Sequence, residues 1–155
     1  MLLGQIFPKE TVVVNLESTE KDELFEELVE TIHTYTGGFD RAAALNYLND
    51  RESKMTTGIM HKVAIPHAMI PSFEGTVGAI GISREGIDYD SLDKAPVNLV
   101  FMIIGAENET ERHIQILKQL ATVLQLPNFV DKMINCKTSS EVHSLLCNSE
   151  DSLSD

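Results

Sequence analysis

Leu24, Phe25, Leu28, Val29 and Ile32 recur on one side of a 3.6-residue period, with charged residues between them, which predicts an amphipathic helix. Thr19 stands where such a helix opens, with Asp22 three residues on as its capping-box partner, and Gly37-Gly38 closes it. A second helix is expected from about Asp40 through Leu45 and Leu48 toward Arg51. Ahead of both, Thr11-Val12-Val13-Val14 reads as a short β-branched strand.

The character then changes. Thr57-Gly58 is a turn signal, and Val63-Ala64-Ile65 is a short extended run cut by Pro66, which limits strand pairing and holds Ile65 extended. The segments Thr76 to Ile82 and Val97 to Ile104 are strand candidates. The second is apolar nearly throughout, as a central strand covered on both faces would be. A long helix follows, capped by Asn108 or Thr110, with Ile114, Leu117, Leu120, Ala121 and Leu124 toward the core and Pro127 as its stop. Two short helices, around Phe129 to Ile134 and Ser140 to Leu146, complete the pattern. Helices and strands on one core give an α/β fold, a mixed β-sheet flanked by helices on both faces in an α/β/α sandwich. The elements do not alternate strictly, so an all-parallel sheet is not expected.

Length adds that 155 residues make one domain, expected over 1–148 with an acidic, frayed tail at 149–155. No run of 18 apolar residues is present, so no spanning helix is expected and a cytoplasmic location is the default. The net charge of −12 changes the picture more. It argues against nucleic acid, whose binding rests on phosphate neutralisation by Lys and Arg, and suits a basic protein partner. Cys136 and Cys147 form no metal or redox pattern.

Five histidines carry the candidate chemistry: His33, His61, His67, His113 and His143. His67 follows Pro66 at the end of an extended run, where a stiffened backbone can present a side chain at a sheet edge. His113 falls in the first turn of the long helix, where the macrodipole disfavours an added proton and free N–H groups can meet an anion. Glu107, Glu109 and Glu111 crowd that same turn. His61 and His67 have no third ligand at zinc-like spacing, so no metal is expected. No phosphate-cradling glycine motif is present, and no nucleotide or other cofactor is expected.

The stretch Arg51-Glu52-Ser53-Lys54-Met55-Thr56-Thr57-Gly58, followed by Val63-Ala64-Ile65-Pro66-His67, resembles the enzyme IIA component of the mannitol/fructose class of the bacterial sugar phosphotransferase system. His113-Ile114-Gln115-Ile116-Leu117-Lys118-Gln119-Leu120 is similar to that family's second landmark, a histidine opening a helix. The resemblance spans about residues 3–147 and implies a transferase that is itself phosphorylated, a phosphohistidine carrier in sugar transport. By it, His67 takes a phosphoryl group from HPr through Nε2 and passes it to an enzyme IIB domain. Arg51 would clamp the phosphoryl oxygens, His113 would donate a further hydrogen bond, and Thr57 would orient His67 or a phosphate oxygen. Association with the membrane would be indirect, through the IIC component. The alternative within the resemblance is a regulatory, nitrogen-type enzyme IIA acting by phosphorylation-dependent protein binding. A structural module without catalysis is disfavoured by Arg51, His67 and His113 occurring together. Two departures, Ile59-Met60-His61-Lys62 in place of a glycine-rich stretch and Ala68 in place of Gly, bear on partner choice.

Overall fold

The computed structural model describes residues 2–153. In chain order the elements are helix α1 (Leu2–Ile6), strand β1 (Val12–Val13), α2 (Lys21–Thr36), α3 (Arg41–Lys54), β2 (Val63–Ala64), β3 (His67–Ile70), β4 (Thr76–Ile87), β5 (Val97–Ala106), α4 (Thr110–Leu124), α5 (Phe129–Ile134) and α6 (Ser139–Ser152). The sheet runs β1-β4-β5-β2, with β3 pairing the far end of β5 on the same side as β2. Among the described strands β4 and β5 pair antiparallel and the other pairings are parallel, so the sheet is mixed as the element order implies.

β5 is buried along nearly its whole length, and its side chains divide by parity between two cores. Leu99, Phe101 and Ile103 join α1, α4, α5 and α6 on one face, while Val100, Met102 and Ile104 join α2 and α3 on the other. The sandwich of helix, sheet and helix follows from that alternation. Among the described residues no helix is long and apolar enough to cross a membrane.

Several local expectations shift. α2 ends at Gly37 in the left-handed conformation glycine supplies, as its sequence implies. Its N-cap is Glu20 rather than Thr19, and the carboxylate reaching back to the Thr19 backbone and hydroxyl is Glu23, not Asp22. α3 starts where expected, and Asp40 caps it by accepting from the Ala43 N–H. β3 and α1 have no counterpart in the periodicity. Each is too short to show a period, and β3 exists because β5 offers a free ladder beyond Pro66. The N-cap of α4 is Glu109, without a side-chain bond, rather than Asn108 or Thr110. Its buried stripe is His113, Ile116, Leu120, Val123 and Leu124, leaving Ala121 outside and Ile114 47% exposed. The helix is apolar enough on two adjoining faces for either to dock, and the sheet takes the one that turns His113 inward.

α6 continues through Ser152, so the expected fraying does not reach residues 149–152. Glu150 is the reason. Buried at 4% exposure, its carboxylate accepts the Leu3 N–H at 3.0 and 3.1 Å and the Gln119 amide at 3.3 Å. An unpaired N–H at the start of α1 thereby finds a partner, and the two ends of the chain are tied together. Residues 154 and 155 of the expected tail lie outside the described residues.

Candidate functional site

His67 opens β3 just after the break at Pro66, with Ala68 and Ile70 buried toward α2 and α3. Strand alternation therefore sends His67 to the opposite face, the one α4 covers. There it meets His113, whose ring centroid lies 5.4 Å away at an interplanar angle of 47°. The two histidines singled out from the sequence thus share one site. Among the described strands β3 pairs only with β5, so His67 stands at a sheet edge as its place after Pro66 predicts.

The His67 Nδ1 lies 2.7 Å from the Ile65 carbonyl oxygen. A carbonyl only accepts, so Nδ1 carries the proton and the neutral ring keeps its lone pair on Nε2. Burial is the main cause holding the His67 pKa below its ordinary value, and the nearby Arg51 charge adds to it. The bond to Ile65 and the charge of Glu52 push the other way without prevailing. His113 is 4% exposed, and burial first, then the neighbouring His67, bring its pKa down to about 4. Two neutral imidazoles face one another at neutral pH.

That neutrality has a cost in acid. The unfolded chain protonates His113 near 6.5 and the folded one only near 4, so between these values the unfolded state binds more protons. Stability is therefore expected to fall as pH drops through that window, by about 3 kcal/mol once both states are protonated. Urea titrations at neutral pH and in mild acid measure it. His113→Gln should flatten the loss, and equal acid sensitivity in both proteins would put the titrating group elsewhere.

Arg51 occupies the last turn of α3, half-buried, with Nη1 donating to the Met55 carbonyl at 2.9 Å. One of its five N–H groups is spent closing its own helix, and among the described residues the others have no hydrogen-bond partner, which suits an anion. Thr57 is placed differently from its expected part beside the imidazole. Its hydroxyl is buried 2.7 Å from Glu52 Oε1 and 2.8 Å from the Tyr89 hydroxyl, and its N–H donates to Glu52 Oε2 at 2.8 Å. What it contributes toward His67 is its carbonyl, which accepts the Ile65 N–H at 3.3 Å.

Glu52 is the residue to which sequence reasoning assigned no role. At 8% exposure it also receives the Tyr89 hydroxyl at 3.0 Å and the Lys21 ammonium at 3.3 Å. Burial and the Glu52 charge push the Tyr89 phenol up, so it stays a donor. This knot ties the end of α3, which carries Arg51, to the segment that leads into β2 and β3. Its one sequence signal is position, immediately after Arg51. Outside the site, the exposed His61 pairs with Asp93 at 3.0 Å.

Residues 5–149 match a family model described as phosphoenolpyruvate-dependent sugar phosphotransferase system, EIIA 2. A fructose-specific EIIABC component of that system from Bacillus subtilis (strain 168) is 32% identical over 146 residues, covering 94% of this chain. The chain spans 23% of that relative's length. The crystal structure of nitrogen regulatory protein IIA-Ntr from Neisseria meningitidis is similar at a TM-score of 0.86 and 29% identity, covering 94% of this chain and 99% of that one. The complex of enzyme IIAMTL and phosphorylated enzyme IIBMTL from Escherichia coli shares the fold at a TM-score of 0.74 and 19% identity, over 90% and 95% of the two chains.

Proposed function

This chain belongs to the EIIA 2 family of the phosphoenolpyruvate-dependent sugar phosphotransferase system, and on that premise we propose that it carries a phosphoryl group on His67 Nε2. The observation that carries the reading is the bond from His67 Nδ1 to the Ile65 carbonyl, which leaves Nε2 as the nucleophile opposite His113. Phosphoryl transfer asks a protein chiefly for positioning and charge stabilisation, and the Arg51, His67 and His113 side chains can supply both. The Nε2 lone pair attacks phosphorus on the phosphohistidine of HPr. A new N–P bond forms as the donor's N–P bond breaks, and the electron pair returns to the donor imidazole. Nδ1 keeps its proton throughout. Arg51 binds the phosphoryl oxygens through two of the N–H groups that Met55 does not use, and His113 donates a further bond. Thr57 acts through the backbone of Ile65 rather than on the phosphate. In the onward step a cysteine or histidine of an enzyme IIB domain attacks, and His67 returns to neutral.

In this reading the protein works in the cytoplasm, and its tie to the membrane runs through the IIC component. A regulatory role is the second reading, favoured by the likeness to a nitrogen regulatory protein almost all of whose chain is covered. Incubation with enzyme I, HPr and labelled phosphoenolpyruvate tests the shared chemistry. Label should appear on the chain, resist base and leave in acid, as an N–P bond does. A chain that stays unlabelled while HPr is labelled removes the phosphocarrier reading. Discharge to an added fructose- or mannitol-type IIB domain then favours transport, and label held in its presence favours regulation.

A further inference from the structure

His113 Nδ1 is buried and has no hydrogen-bond partner among the described residues. A buried nitrogen left unpaired is costly, and most native ones are satisfied. The atom lies against Gly105 on β5: a Cβ added there would stand 3.4 Å from Nδ1 and 3.2 Å from the Thr76 hydroxyl oxygen. Thr76 and Gly105 are direct cross-strand partners, and both face α4. Thr76 is therefore the hydroxyl beside the orphan nitrogen, and the missing side chain at Gly105 leaves the space between them open. At present Thr76 Oγ1 points to Glu109 Oε2 at 3.4 Å, near the limit of a hydrogen bond, while that carboxylate also faces Arg112 at 4.0 Å. Little is lost if the hydroxyl turns away from it.

We propose that Thr76 is a positioning residue that sets the His113 tautomer, its hydroxyl donating to Nδ1 across Gly105, directly or through one water, so that Nε2 carries the hydrogen. This rests on the phosphocarrier reading, which needs His113 to be a donor. A neutral imidazole donates from only one nitrogen. If Nδ1 held the proton, Nε2 would present a lone pair to the phosphoryl oxygens and repel them. Fixing Nδ1 as the acceptor removes that tautomer before the phosphoryl group arrives. The groups around the ring agree with this: His67 is neutral, Glu109 and Arg112 flank the helix start, and the Thr76 hydroxyl is the nearest atom to a Cβ at Gly105.

The test is the imidazole nitrogen–proton correlation spectrum, which distinguishes the two neutral tautomers without any partner protein. In the unmodified chain His113 should be in the Nε2–H form, and the Nδ1–H form would overturn the proposal. Thr76→Val, nearly isosteric, should bring in the other tautomer and slow uptake of label from phospho-HPr about tenfold, the worth of one hydrogen bond. Thr76→Ser should restore both. A His113 spectrum unchanged by Thr76→Val would also overturn it. Because the tautomer is read without phosphotransfer, a chain that takes no label would discard the phosphocarrier reading and leave the Thr76 result standing on its own.

Discussion

His67→Ala is expected to accept no phosphoryl group from phospho-HPr while still folding. The loss should be complete rather than partial, because the substitution removes the atom to which phosphorus bonds. His113 is not expected to replace it, because it is 4% exposed behind His67, where a donor phosphohistidine has no approach, and it sits on a helix start crowded by Glu109 and Glu111. Folding should survive because His67 stands at the sheet edge, half-buried, with a single bond to a main-chain carbonyl. Truncation there deletes that bond and a desolvated imidazole together, so the change in stability should be within about 1 kcal/mol. Gel autoradiography after incubation with the labelled donor reads the first outcome, and circular-dichroism melting reads the second. A labelled and folded His67→Ala protein would move the acceptor to another side chain.

The largest effect on stability is expected at Glu52, which lies near enough for its charge to act on His67. Glu52→Ala strands the Thr57 N–H, removes the shared acceptor of the Thr57 and Tyr89 hydroxyls so that they keep only each other, and leaves the Lys21 ammonium without its carboxylate. Breaking a buried ion pair from one side costs about 3–5 kcal/mol, and the partial exposure of Lys21 favours the lower end of that range. Tyr89→Phe, which removes one donor and keeps the ring packed, should cost only about 1 kcal/mol. Urea unfolding monitored by circular dichroism measures both. A Glu52→Ala protein as stable as the parent would show that the carboxylate supports nothing. Under conditions where the variant remains folded, label uptake should still be slower. The Thr57 carbonyl that holds the Ile65 N–H would be less well fixed, and the Ile65 carbonyl holds His67.

Local rules account for much of the fold. The 3.6-residue period of α2, the start of α3 near Asp40, the Gly37 stop and the apolar run of β5 each depend on residues near in sequence, and each is legible from one strand of letters. The mixed character of the sheet also followed, since element order restricts which strands can pair parallel. His67 and His113 could be chosen individually, one for its place after Pro66 and the other for its place in a helix first turn.

Tertiary structure decided the rest, because it depends on contacts between segments distant in the chain. Which of two adjoining apolar faces of α4 docks is settled by the sheet beneath it, and the outcome turns His113 inward and leaves Ile114 outside. β3 forms only because β5 offers it a ladder, and strand parity then aims His67 at α4. Thr57 carries a hydroxyl suited to a phosphate, yet burial gives it to Glu52 and Tyr89, which no spacing in the sequence foretells. Thr76 meets Gly105 by antiparallel register alone. By itself the sequence determined the helices from α2 onward, the central strand and the choice of the two histidines; packing alone decided which side chains surround them, because a buried polar atom takes the partner that folding brings within reach.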